Sequence, residues 1–286
     1  MYAVFYFCVH TISMYKLICT DIDGTFLNAD RYLSVATVAA FAKLPTRQAG
    51  ANIPLIFASS RMPNAMRYLQ KGLNRLGAPL IAYNGGLILG QNGSLLESNS
   101  FETAVLKALL PHHKANTYNL SIYSHDHWFT DTEDFWSLRE INNTRVTPVY
   151  QPATESLDFL NANALGIHKL MCMGAAEEID SIVAHLTIAF GETVHLYRSK
   201  DTYLEITPKN IDKAKALKVL LEAEYDFGLE QVIAFGDNHN DDELLKRVGW
   251  GVAVANATDN LKSIANYVSP YTNKEDAVAK AIVRFV

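Results

Sequence analysis

Apolar residues in this chain of 286 residues come in short runs that end in polar or acidic positions. Leu17-Ile18-Cys19-Thr20, Pro54-Leu55-Ile56-Phe57-Ala58, Leu80–Tyr83 and Val232-Ile233-Ala234-Phe235 read as short strands. Helical spacing fills the intervals. Residues 34–44 read as a helix with Ser34 as its cap, and Pro63–Leu76 as a second, with Pro near its start and Gly77 just past its end. Asp212-Lys213-Ala214-Lys215-Ala216-Leu217 opens another helix behind the strand Tyr203-Leu204-Glu205-Ile206. The alternation predicts an α/β fold with a Rossmann-like, doubly wound parallel sheet.

The middle of the chain changes character. Between Gly86 and about Thr202, strands are expected at Leu120–Tyr123, Trp128–Thr130, Lys169–Met173 and Val194–Tyr197, with helices near 101–110, 154–161 and 176–189. This block reads as an inserted α/β domain, 87–202, entered and left by two connections. The core would then be discontinuous, 1–86 and 203–286. Residues 1–13 are apolar and aromatic without Lys or Arg, too short to span a bilayer and lacking the basic start of a signal peptide. They read as an extension from an upstream start codon; an added edge strand or a partner-binding tail is the other reading.

Composition narrows the classes. The chain is 49% hydrophobic with a formal net charge of −5, which argues against disorder and gives no basic surface for nucleic acid. Three cysteines, Cys8, Cys19 and Cys172, are far apart and odd in number, so no disulfide framework is expected and a reduced, cytoplasmic setting follows. No membrane partner and no obligate protein partner is expected.

The chemistry sits at strand ends. In Asp21-Ile22-Asp23-Gly24-Thr25 the carboxylates at i and i+2 share a face and can converge at the carboxyl end of the strand, where open α/β sheets hold ligands. Two like charges that close call for a cation or a shared proton. A calcium loop of the EF-hand type is excluded, because Gly comes fourth and Tyr32 stands twelfth. In Gly236-Asp237-Asn238-His239-Asn240-Asp241-Asp242 a second strand ends in acids, and Asn240 is the expected cap of the helix that follows. Ser59-Ser60-Arg61 puts a hydroxyl at a strand terminus before a helix, where a phosphate can meet unpaired backbone N–H groups. Lys213 brings a cation to the same crevice.

These four segments, in this order, resemble the haloacid dehalogenase (HAD) superfamily of phosphatases, and more narrowly its Cof-type branch with a type IIB cap. The resemblance spans about residues 15–286. Asp-x-Asp-Gly-Thr matches Asp21–Thr25, the usual Thr-Gly-Arg appears as Ser59-Ser60-Arg61, the Lys behind Leu-Glu-Ile-x-Pro falls on Lys213, and Gly-Asp-x-x-Asn-Asp is Gly236–Asp241. The usual Asn-Gly after the third core strand is Asn84-Gly85. Ser60 and Asn210 stand where Gly is common, and neither change removes a reacting group.

The resemblance implies a HAD-like core with a mobile α/β cap and a Mg2+-dependent phosphatase of small phosphorylated metabolites, sugar phosphates foremost. Asp21 would attack phosphorus and form an aspartyl-phosphate. Asp23 would protonate the leaving alkoxide and later deprotonate water, its proton favoured by neighbouring Asp21. Mg2+ would be held by Asp21, the backbone carbonyl of Ile22, Asp237 and Asp241. Ser59, Lys213, Asn240 and Thr25 would hold the phosphoryl group, Thr25 also fixing the turn that aims Asp23, with Asn84 and Arg61 as substrate contacts. A phosphosugar mutase using the same Asp pair is the alternative, and a non-catalytic binder is disfavoured by the intact reacting groups. His125-Asp126-His127 reads as a hairpin turn rather than a metal pair. Trp128, Phe135 and Trp136 could line a pocket or pack in the core, and Arg198 and Lys200 default to a solvated loop.

Overall fold

The computed structural model describes residues 15–44, 46–47, 51–114 and 117–286. The segment 1–13, and Cys8 within it, lies outside the described residues. Eight strands form the first sheet, in the order Tyr267–Val268, Trp250–Ala253, Val232–Gly236, Leu17–Thr20, Leu55–Ala58, Leu80–Ala82, Leu87–Leu89, Leu95–Ser98. The first six run parallel and the last two are added by antiparallel pairing, so that Leu87–Leu89 runs against the other seven. Apolar side chains from both faces are buried. Ile18, Phe57 and Phe235 join one cluster and Leu17, Cys19, Ile56 and Ala234 the other. Burial on both faces explains why the central strands read as continuous apolar runs rather than alternating ones.

Leu17–Thr20 lies between Val232–Gly236 and Leu55–Ala58, so connections leave it in opposite directions. Such a reversal of strand order opens a crevice at the carboxyl ends. The expected helices are present as Val35–Ala42, with Ser34 accepting from the Thr37 amide, and Asn64–Gly72, shorter than expected because the chain turns at Leu73.

A second sheet of six strands has the order Val149–Tyr150, His127–Thr130, Asn119–Ser124, Lys169–Met173, Tyr203–Pro208, Val194–Lys200. Its side chains alternate strictly. Leu170, Cys172, Leu204 and Ile206 pack under helices Ala104–Lys114, Ala153–Ala162 and Ala176–Phe190, while Met171, Met173 and Tyr203 join the core cluster. Helix Phe135–Thr144, which the sequence reading did not place, is opened by a capping box between Asp134 and Ser137.

Sheet membership corrects the expected division at 86/87 and 202/203. Leu87–Leu89 and Leu95–Ser98 extend the first sheet by antiparallel pairing, and Tyr203–Pro208 pairs on both sides within the second. We propose 15–99 with 209–286 as the core and 100–208 as the inserted cap. The cap docks through that shared apolar cluster and through polar contacts. Tyr83 donates to the His125 carbonyl at 2.7 Å, Asp126 accepts from the Asn64 amide at 2.8 Å, and His168 meets Ser98 at 3.0 Å. His125 sits at φ 52 in the hairpin turn, as that tripeptide was read.

His168 is fully buried, stacked on Tyr83 with the His125 ring edge-on and the His125 amide donating to its Nδ1. Burial, with His125 beside it, holds its imidazole down at about 3 against an ordinary 6.5. Between those values the unfolded chain binds a proton that the folded chain does not. Its contribution is therefore complete above pH 6.5 and falls with pH at about 1.4 kcal/mol per unit. Urea unfolding at pH 7 and 4.5 should show wild type losing about 2–3 kcal/mol more than His168→Phe; equal losses would mean that His168 protonates without unfolding.

Candidate active site

The carboxyl ends of the two central strands deliver Asp21 and Asp237 to one point, and a turn after Gly236 adds Asp241. One oxygen from each of these three carboxylates lies within 4.8 Å of the others. Helix Lys213–Glu224 begins there, capped by Asp212 on the Lys215 amide, so its first residue points into the crevice. The Lys213 ammonium is fully buried and donates to Asp21 Oδ1 at 2.6 Å and to Asp241 Oδ1 at 2.7 Å. Asp241 Oδ2 accepts from the amides of Asp237 and Asn238 at 3.0 and 3.2 Å.

Electrostatics follow from burial. Burial alone would lower the Lys213 ammonium, but Asp21 and Asp241 outweigh it and hold it above its ordinary value. Burial pushes the Asp21 carboxyl up, with Lys213 pulling against it and Asp241 and Asp237 adding to it. Asp237 is pushed up to about 6, chiefly by burial, although the Thr25 hydroxyl donates to it at 2.8 Å. Three carboxylates around one ammonium form an all-oxygen donor set with spare negative charge, which suits a divalent cation.

Asp23 differs from its expected state. Arg61 grips it with Nε to Oδ2 at 2.6 Å and a terminal nitrogen to Oδ1 at 2.8 Å, and Arg31 adds a third bond at 2.8 Å. Burial works to raise this carboxyl, but Arg61 and then Arg31 hold it below its ordinary range. The proton expected from like-charge repulsion with Asp21 is therefore not favoured in this arrangement, because two guanidiniums neutralise Asp23 and Lys213 neutralises Asp21. Arg61, expected as a substrate contact, is 5% exposed and spends its other donors on the Ala65 carbonyl, the Tyr68 hydroxyl and the Asn143 carbonyl of the cap.

Three other expectations move. The Ile22 carbonyl turns into the following loop and accepts from the amides of Phe26 and Leu27 at 3.0 and 3.1 Å, which takes it away from a cation. Thr25 is 1% exposed and committed to Asp237. Gly24 sits at φ +85, and a Cβ there would stand 2.3 Å from Asp237 Oδ2, so only glycine lets the two loops close. Asn240 does not cap the helix. Asn238 caps the preceding turn, and the Asn240 amide donates to Asn84 Oδ1 at 3.0 Å.

Ser59, Asn84 and Asn240 line, with Asp21, Asp23 and Asp237, a cavity of about 760 Å3 roofed by cap residues including Glu205 and Lys200. Ser59 Oγ accepts from the Arg61 amide at 3.2 Å. The sequence reading missed Arg31, a single basic residue in a polar loop with no local signature.

A family model described as haloacid dehalogenase-like hydrolase matches residues 18–282. The chain belongs to the haloacid dehalogenase-like hydrolases. Its Cof-type phosphatase character is carried by its relatives. An Escherichia coli protein named HMP-PP phosphatase is 30% identical over 251 residues, 87% of this chain and 88% of that one. A Bacteroides thetaiotaomicron haloacid dehalogenase-like hydrolase superposes with a TM-score of 0.83 at 29% identity, covering 95% of this chain and all of that one. A subclass IIB sugar phosphatase has a TM-score of 0.72 at 19% identity, with 94% and 98% covered, a likeness of fold that includes the cap. No described helix is long and apolar enough to cross a membrane.

Removing the Lys213 ammonium leaves two buried carboxylates without their cation. Lys213→Met should cost about 3–5 kcal/mol of unfolding free energy, read by urea denaturation. A loss below about 1 kcal/mol would show that the carboxylates relieve one another by taking up protons.

Proposed function

We propose that this chain is a Mg2+-dependent phosphatase that hydrolyses small phosphate monoesters, sugar phosphates among them, through an aspartyl-phosphate on Asp21. The observation that carries the reading is the meeting of Asp21, Asp237 and Asp241 around Lys213 at the floor of a cavity that Ser59 and Asp23 also line. A molecule built only to bind phosphate has no need of carboxylates there, since they repel it.

The residues divide the work as follows. Lys213 fixes Asp21 through Oδ1, leaving Oδ2, to which no described residue donates, to attack phosphorus. Ser59 and Lys213 steady the phosphoryl oxygens, with Asn240 at the rim. Asp23 gives a proton to the departing alkoxide and afterwards takes one from water. Its guanidinium clamp favours the ionised form, which the second step uses; the first step requires the clamp to loosen as substrate enters. Asp21, Asp237 and Asp241 would hold Mg2+, joined by the Asp23 carbonyl, which among the described residues receives no backbone N–H. When bound, the cation neutralises charge on the phosphoryl oxygens, and an all-oxygen set suits it better than zinc.

Inorganic phosphate release should be measured from sugar phosphates, nucleotides, an aryl phosphate and HMP-PP, the compound in the E. coli relative's name. Release should require Mg2+, stop with chelator and fall at least about 10⁴-fold in Asp21→Asn. Isomerisation of a sugar phosphate on addition of a sugar bisphosphate, with no release, would replace the phosphatase by a mutase.

A further inference from the structure

Strand alternation in the cap sends one lysine into the core. Met171 faces the core cluster, and Lys169, two residues earlier, shares that face. Lys169 is 7% exposed, its ammonium lies 4.6 Å over the Tyr123 ring, and it donates to the Ser60 carbonyl at 3.2 Å, between Ser59 and Arg61. Among the described residues no carboxylate comes within 4.0 Å of it. An ammonium has three donors, and one acceptor does not satisfy it when buried.

A cavity of about 200 Å3 is lined by Lys169, Asp23, Glu140 and Glu205. Glu140, on helix Phe135–Thr144, accepts from the Asn143 amide at 3.2 Å and has no cation within 4.0 Å among the described residues. Burial pushes its carboxyl up, and the Lys169 charge pulls against that, so the two sense each other across the gap. Tyr203 lines the same cavity at 7% exposure, and its buried hydroxyl has no hydrogen-bond partner among the described residues. A donor, an acceptor and a hydroxyl with unused capacity thus face one space beside the carboxylate that serves the departing oxygen. Arg31, Arg139 and Lys200 also line the space, so charge alone does not select the ligand, and an aryl group would leave the remaining capacity of Lys169, Glu140 and Tyr203 unused.

We propose that Lys169 and Glu140 are the specificity-determining pair for the leaving group, Lys169 donating to one oxygen and Glu140 accepting from a hydroxyl or amine on a neighbouring atom. The inference rests on the phosphatase reading and assigns it leaving groups with adjacent hydrogen-bonding groups. A site whose buried groups await such partners discriminates against substrates that lack them.

The test is kcat/KM for glycerol 3-phosphate, glucose 6-phosphate and 4-nitrophenyl phosphate in wild type, Lys169→Met, Lys169→Arg and Glu140→Gln, with melting temperatures for each. Lys169→Met should lower kcat/KM for whichever hydroxylated ester the wild type accepts by about 10- to 100-fold and alter the nitrophenyl ester less than about threefold. Lys169→Arg, which still donates, should recover part of the loss, and Glu140→Gln should lower the same ester selectively. An equal fall for all esters in Lys169→Met would make Lys169 a latch on Ser60 and overturn the proposal, as would no change in any. A folded wild type that releases phosphate from none of them would instead overturn the phosphatase reading, and this inference with it.

Discussion

A fully buried ammonium between two carboxylates is the constraint on which the site depends. Lys213 belongs to a helix that starts after the cap sheet ends, Asp21 to the first strand, and Asp241 to the turn after Gly236, and contacts of 2.6 and 2.7 Å tie the three together. Desolvating these charges is costly unless all are paired, so the segments can come together only in this register. Asp241 completes the tie by accepting two amides from its own loop. The crevice is therefore organised before any ligand enters. One ammonium does not balance Asp21, Asp237 and Asp241, and the remaining negative charge suits a divalent cation.

The cap supplies what this floor lacks. Its sheet buries one face under three helices and turns the other toward the crevice, so that residues two apart, Tyr203 and Glu205, reach the same cleft. Docking combines polar contacts around Tyr83, Asn64, Ser98 and Ser60 with an apolar cluster in which Tyr123, Trp128, Met171 and Met173 of the cap join the core.

Residues at strand ends and helix starts were legible in the sequence, Lys213 among them although its partner Asp21 lies 192 residues away, whereas what several other side chains and one carbonyl actually contact was not. Asp21, Ser59 and Asp237 stand at the ends of apolar runs, and strand periodicity alone puts them at the mouth of the sheet. The Ile22 carbonyl looked available because nothing in the sequence shows that Phe26 and Leu27 fold back on it. Thr25 and Arg61 looked like ligand contacts because their true partners, Asp237 and Asp23, lie 212 and 38 residues away. The helix Phe135–Thr144 hid behind an exposed Phe135 and Leu138, which blur its apolar stripe. The domain boundary slipped because strand pairing, not composition, decides that Leu87–Leu89 belongs to the core and Tyr203–Pro208 to the cap.

Arg61 shows how the two halves of the molecule speak to one reaction. Its guanidinium holds Asp23 by two bonds and donates a third from the same terminal nitrogen to the Asn143 carbonyl on the cap helix. Withdrawing the cap removes that third acceptor from a side chain only 5% exposed. A buried guanidinium that loses an acceptor must find water or tighten on what remains. The grip on Asp23 is thereby tied to cap position, and the same guanidinium holds that carboxyl below its ordinary range. An arginine suits this place better than a lysine, since only the planar fork can hold a carboxylate by two bonds and still reach across the interface.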